Sequence, residues 1–128
     1  MTAVRVLLVG GGHSHVEVLR QQALARDPDV VTTLVSPAPL TPYSGMLPGL
    51  VAGLYDIDET HIALGPLAAA AGARLIEDRV IGLDVDARLA HLAQGDAVPF
   101  DAVSLDIGSI PAAPMPGAQE HAVGVKPV

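Results

Sequence analysis

Three consecutive glycines, Gly10-Gly11-Gly12, stand between an apolar run and the start of a helical pattern, and they carry most of the chemical information in this sequence. A turn without Cβ atoms lets an anion approach backbone amides at the positive end of a helix dipole, so the natural ligand is the pyrophosphate of a dinucleotide. No Gly-Lys-Ser or Gly-Lys-Thr follows, which excludes a Walker A loop. A third glycine of the usual spacing would fall at position 15, where this chain has His15, so the close contact of helix and strand must be made differently. At the end of the second apolar run, where dinucleotide folds place Asp or Glu for the ribose, the residue is Ser36. A hydroxyl offers a single neutral hydrogen bond there, and Ser36→Glu is expected to strengthen ribose binding. His13 and His15 have no neighbouring carboxylate or cysteine, and they read as backbone positioning plus a helix-facing imidazole in preference to a metal pair. Tyr43 either stacks near a bound ring or anchors its loop. Glu77-Asp78 and the acidic stretch from Asp56 to Glu59 read as solvated turns and helix N-termini. His61, His91 and His121 are scattered, and no nucleophile stands beside a base.

The elements that must position these residues follow from periodicity. Val4 to Val9 is a β-branched and leucine-rich run interrupted only by Arg5, short enough for a strand and apolar on both faces, as buried parallel strands are. From Ser14, Val16, Leu19 and Ala23 recur on one helical face until Pro28 ends the helix near Asp27. Val30 to Val35 is a second buried run, which completes a right-handed βαβ unit. Ser36 to Gly53 carries Pro37, Pro39, Pro42, Pro48, Gly45 and Gly49 and reads as a long functional loop. Leu64 to Ala71 is a second helix with Pro66 in its first turn and Gly72 at its end. Ala73 to Ile76 is a third parallel strand. Arg79 to Asp86, Leu89 to Ala93 and Val98 to Phe100 make a small antiparallel meander. Ala102 to Ile107 is a final buried strand, and Pro111 to Val128 reads as a connection.

Composition narrows the function classes. Seven basic against fourteen acidic residues give a net charge of −7 with no basic cluster, so nucleic-acid binding is disfavoured. Half the residues are apolar and 16% are charged, which describes a folding sequence in one domain of 128 residues. Without cysteine the chain carries no disulfide, zinc-thiolate or thiol redox centre, and any redox chemistry belongs to a cofactor. The apolar start is too short for a bilayer span and lacks a signal pattern, so a cytoplasmic protein without a transmembrane segment is expected.

The segments VLLVGGGHSHVEVL, VSPAPLTPYSGMLPGLVAGLY, FDAVSLDIGSIP and PGAQEHAVGVKPV together resemble the amino-terminal part of FAD-dependent pyridine nucleotide-disulfide oxidoreductases. More narrowly they resemble the type II NADH dehydrogenase-like branch, including the flavoprotein modules fused to selenide, water dikinase. The resemblance implies a Rossmann-like FAD-binding domain over residues 1–110 and a connection over 111–128 toward an NAD(P)H-binding domain. It implies that Gly10, Gly11 and Gly12 with the amides of His13 and Ser14 lie under the pyrophosphate, and that Ser36 and Pro37 edge the ribose. It assigns the backbone of Val80 to the adenine, and Pro42, Tyr43, Ser44, Gly45 and Met46 to the isoalloxazine. Ile107, Gly108 and Ser109 match a block Ala-Thr-Gly that closes over the diphosphate, with Asp106 where that block usually has alanine. The activity implied is hydride transfer from NAD(P)H to flavin and on to a quinone-like or other small-molecule acceptor, with this chain alone inactive. The alternative, from another class, is a non-catalytic nucleotide-binding or assembly module on the same fold.

Overall fold

The computed structural model of the chain describes residues 3–110, 112, 115–124 and 126. Two compact units emerge, Met1–Thr41 with Ala63–Ile107, and Pro42–Ile62 with Gly108–Val128. The first unit is built on β1 (Val4–Val9), β2 (Val30–Ser36), β5 (Arg74–Glu77) and β9 (Ala102–Leu105), which form one sheet in the order β5-β2-β1-β9. All three pairings are parallel, with Val4 opposite Val30, Val6 opposite Ala102 and Thr33 opposite Arg74. The chain therefore grows from β1 toward β5 and then returns to the other side of β1, the 3-2-1-4 order of Rossmann-like α/β folds.

Side-chain alternation explains the layers. Leu8 and Leu34 point to one face, where α1 (His13–Leu24) and α4 (Leu64–Ala71) cover them with Leu19, Leu64 and Ala71. Leu7, Val9 and Val35 point to the other, where Ala90, Leu92 and Phe100 of the meander close over them. That meander is a three-stranded antiparallel sheet, β6 (Val80–Asp84), β7 (Leu89–Leu92) and β8 (Val98–Pro99). The strands expected to be apolar on both faces are so because a helical layer covers one face and a β layer the other.

The helix over Leu64–Ala71 ends as expected, at Gly72 with φ +68°, a left-handed cap that glycine adopts without strain. Two expectations change. The loop from Ser36 to Gly53 is ordered into β3 (Leu40–Pro42), a 3-10 turn at Ser44–Met46 and α2 (Leu47–Val51), because proline in a first helical turn is compatible with a helix. Beyond it α3 (Ile57–Thr60) and β4 (His61–Ala63) follow, and β3 pairs with β4. The final strand ends at Leu105, and Leu105 is 59% exposed. As an edge strand of the sheet, β9 has a neighbour on one side only, so it lacks the cover of the central strands. The Asp56 capping box on α3 agrees with the reading of that acidic stretch as a helix N-terminus. In the tail α5 (Ala118–His121) was not expected, and Pro111, Ala113, Pro114, Val125, Pro127 and Val128 of that segment lie outside the described residues.

Candidate functional site

In an open parallel sheet the chain leaves two strands in opposite directions at one point, and ligands bind in the crevice outside the carboxyl ends there. In this sheet the point lies between β1 and β9. Gly10 follows β1 and Asp106 follows β9, so these two residues are brought together by topology across 96 positions of sequence. The backbone is tied on both sides: the Gly10 amide donates to Val35 O at 2.8 Å, the Asp106 amide to Val9 O at 2.9 Å, and the Gly12 amide to Asp106 O at 3.2 Å.

Each glycine of the turn answers a different demand. Gly10 has φ +94°, and a Cβ there would overlap the Asp106 carbonyl, so both dihedral and space require glycine. A Cβ on Gly11 would lie 2.6 Å from Leu64 and 3.2 Å from the Ser36 hydroxyl. A Cβ on Gly12 would overlap the Asp106 carboxylate itself. That carboxylate accepts the Ser14 amide at 3.0 Å and the His15 amide, more weakly, at 3.4 Å. It thus caps the N-terminus of α1, a role that starts the helix at His13, one residue before the expected Ser14.

His15 is buried, 2% exposed, and its imidazole is not turned along the helix as expected. Nδ1 donates to Gly10 O at 2.7 Å, since a carbonyl only accepts, and Nε2 pairs with Ser104 Oγ at 2.9 Å. The ring therefore bridges the glycine turn to β9 in the place of a third glycine. Both ring nitrogens of His15 are thus engaged within the protein, and among the described residues no group of three or more His, Asp or Glu is placed to hold a metal ion.

Ser36 closes β2 and is buried beside Gly11. Its hydroxyl proton goes to Ala38 O at 2.9 Å, leaving only acceptor lone pairs, and its carbonyl accepts the Asp78 amide at 3.1 Å. Ser36 is only 4% exposed, so a longer acid at position 36 needs its surroundings to shift, which weighs against the expected gain from Ser36→Glu. Pro37 is exposed next to it. Val80 opens β6 opposite Leu92, with a bulge between Val80 and Gly82. Asp78, just before, accepts the amides of Arg79 at 2.7 Å, Gln94 at 3.1 Å and Gly95 at 2.8 Å. These bonds, that of Arg79 foremost, hold its carboxyl below the usual range. Ile107 is exposed at the end of the same unit.

The remaining candidates belong to the second unit. Tyr43 donates its amide to Thr60 O at 2.9 Å and accepts the Met46 amide at 3.0 Å, which fixes the 3-10 turn. A Cβ on Gly45 would lie 2.7 Å from the Tyr43 ring, so that ring is folded over Gly45 and anchors the turn. Pro42, Ser44 and Met46 are half-buried around it. Gly108 has φ +73° with open space at its Cβ position, and Ser109 is exposed. Sequence reasoning singled out Asp106 only as a departure from alanine; its pairing with the turn and the seat of Leu64 against Gly11 are long-range facts that spacing does not carry. Among the described residues no helix is long and apolar enough to cross a membrane.

Neither a protein-family model nor a curated protein sequence matches the chain. Solved structures do. The sulfide:quinone oxidoreductase of Aquifex aeolicus is 22% identical with a TM-score of 0.81, covering 92% of this chain and 27% of its own. The water-forming NADH oxidase of Lactobacillus brevis is 18% identical with a TM-score of 0.72, covering 93% and 28%. The NADH:rubredoxin oxidoreductase of Clostridium acetobutylicum is 19% identical with a TM-score of 0.68, covering 87% and 29%. The chain thus has the Rossmann-like fold found in these oxidoreductases and spans between 27% and 29% of their length.

Proposed function

We propose that this chain is the FAD-binding portion of a cytoplasmic NAD(P)H-dependent flavoprotein oxidoreductase that passes electrons to a quinone-like or other small-molecule acceptor. The observation that carries the reading is the strand, glycine turn and twelve-residue helix set at the point between β1 and β9 where such sheets bind ligands. The fit is one of backbone: Gly10, Gly11 and Gly12 leave the helix start free of Cβ atoms, the form a diphosphate needs, while the Asp106 side chain stands against the same backbone.

In this reading Gly10, Gly11, Gly12, His13 and Ser14 would hold the diphosphate, Ser36 and Pro37 the ribose, Val80 the adenine, and Ile107, Gly108 and Ser109 the far side of the diphosphate. Pro42, Tyr43, Ser44, Gly45 and Met46 would serve the isoalloxazine ring. When bound, the flavin supplies two-electron redox chemistry between a nicotinamide donor and the acceptor. The chain's own part is to bind and orient, and having no cysteine it offers no thiol relay. An NAD(P)H-binding domain beyond the connection that starts at residue 111 would complete the enzyme. The exposed Leu105 and Ile107 at the sheet edge and the share of the neighbours' length that this chain spans support that view. The finer placing, beside the modules fused to selenide, water dikinase, rests on the TPYSGMLPG and SLDIGS blocks.

Purification of the longest natural polypeptide that carries this chain tests the proposal. The expected product is yellow, releases FAD on denaturation and is bleached anaerobically by NADH or NADPH. A colourless protein with no affinity for FAD overturns it, and one that binds ADP but never flavin points to a non-catalytic nucleotide module.

A further inference from the structure

An anion already stands where the glycine turn offers its amides. The Asp106 carboxylate lies directly against the Cα of Gly12 and accepts the amides of Ser14 and His15. It comes from the strand end that forms the other wall of the crevice, and the Asp106 amide and carbonyl are both tied to the first wall through Val9 and Gly12. Among the described residues no cation pairs with it, in contrast to Asp101, which pairs with Arg5 and Arg88. Its charge is held at the helix start, through the Ser14 amide and the dipole that would also serve a diphosphate.

We propose that Asp106 is a built-in occupant of the diphosphate position: a nucleotide binds at the turn by displacing this carboxylate, and Asp106 sets the affinity of the site. The inference rests on the reading of the turn as a nucleotide site and adds a regulator to it. Two anions do not share one set of amides. A diphosphate that reaches Ser14 N meets a like charge at contact distance until the Asp106 side chain rotates out, and rotation costs the two charge-assisted bonds that now cap α1. In return the cap keeps the turn and the first turn of α1 formed in the nucleotide-free protein. Asp106 is thus an affinity-setting residue toward nucleoside diphosphates.

Calorimetric titration of nucleotide-free protein with ADP and with FAD tests this, alongside thermal unfolding without ligand. Asp106→Ala is expected to bind both ligands about tenfold more tightly, because one competing anion is gone. Without ligand it is expected to melt about 4 °C lower or more, because α1 has lost its cap, and saturating ADP should restore the loss. Asp106→Asn keeps an acceptor for one amide and removes the charge, so it should tighten binding to a lesser degree, and it decides by the same criterion if Asp106→Ala does not fold. Affinity in the variants equal to or weaker than wild type overturns the occupant role while leaving the nucleotide site standing. Absence of ADP and FAD binding in the wild type and both variants overturns the site as well.

Discussion

At the scale of single residues, His15 is the substitution that most changes how this fold is held. A third glycine lets helix and strand approach by having no side chain; His15 instead fills the gap and ties Gly10 O to Ser104 Oγ with a buried ring. His15→Ala leaves a buried carbonyl without its donor and a cavity beside β9, and it is expected to cost about 2–4 kcal/mol in urea unfolding. His15→Gln, which can donate to Gly10 O, should recover part of that loss; equal losses for both variants would mean that packing alone matters. Ser36→Glu is expected to lower stability by about 2–3 kcal/mol, since the hydroxyl is already spent on Ala38 O and a longer acid would bring a carboxylate into a position that is only 4% exposed. The measurement is thermal unfolding with FAD titration beside it, and a variant of unchanged Tm that binds FAD more tightly would show that a carboxylate is accommodated at position 36 and serves the ribose better than the hydroxyl. Gly12→Ala and Asp106→Ala should be coupled strongly in a double-mutant cycle, because the added methyl strikes the Asp106 carboxylate first.

At the scale of elements, the parts that were legible in sequence are those where local chemistry and tertiary packing agree. The helix over Leu64–Ala71 was readable to the residue because Pro66 and Gly72 mark both ends, and β2 because a β-branched run lies in a covered strand. The glycine turn was readable as a tight strand-to-helix turn from its place between an apolar run and a helical pattern. What the sequence did not reveal is set by partners distant along the chain: the Asp106 cap on α1, the ring of Tyr43 over Gly45, and the exposed edge of β9, all of which depend on topology and not on period. The stretch Ser36 to Gly53 misled because its prolines and glycines, usual marks of a loop, sit at helix starts and under aromatic rings. The end of α4 gives a clean test of the local kind. Gly72 is left-handed and Arg26 donates to Ala70 O at 3.0 Å over the last turn. Gly72→Ala is expected to cost about 1 kcal/mol in chemical denaturation and Gly72→Asn less, because asparagine tolerates that conformation. A neutral Gly72→Ala would show that the cap is not held in the left-handed region.

At the scale of the molecule, a chain of net charge −7 holds its layers together with few cations, and one of them is placed at the seam. Arg5, on the central strand β1, gives Asp101 a backbone amide at 2.8 Å and two guanidinium bonds at 2.9 and 2.8 Å, while the Asp101 amide returns a bond to Arg5 O at 2.8 Å. Asp101 follows Phe100, which closes the core under the meander, so this pair fastens the meander's exit to the sheet. Arg5 holds the Asp101 carboxyl far below the usual carboxylate range, first through the side-chain bonds and then through its amide. Glu17 is likewise lowered, to about 2, by Arg20 and Gln21. The two differ in weight: Glu17 and Arg20 are neighbours on one helix with side chains 54% exposed, whereas Asp101 is 29% exposed and joins distant parts of the chain. A carboxyl whose folded pKa is depressed adds stability above its unfolded value near 4 and loses it as the pH falls toward the folded value. Acidification also relieves the net negative charge, but that relief is almost the same in a variant one charge apart. Asp101→Asn is therefore expected to melt a few degrees below wild type at pH 7 and to lose less on acidification, so that the two melting curves plotted against pH converge between about pH 4 and pH 2. Thermal unfolding of both proteins from pH 7 to pH 2 reads this directly, and curves that stay parallel over that window would mean that the Arg5 pair does not fasten the meander to the sheet.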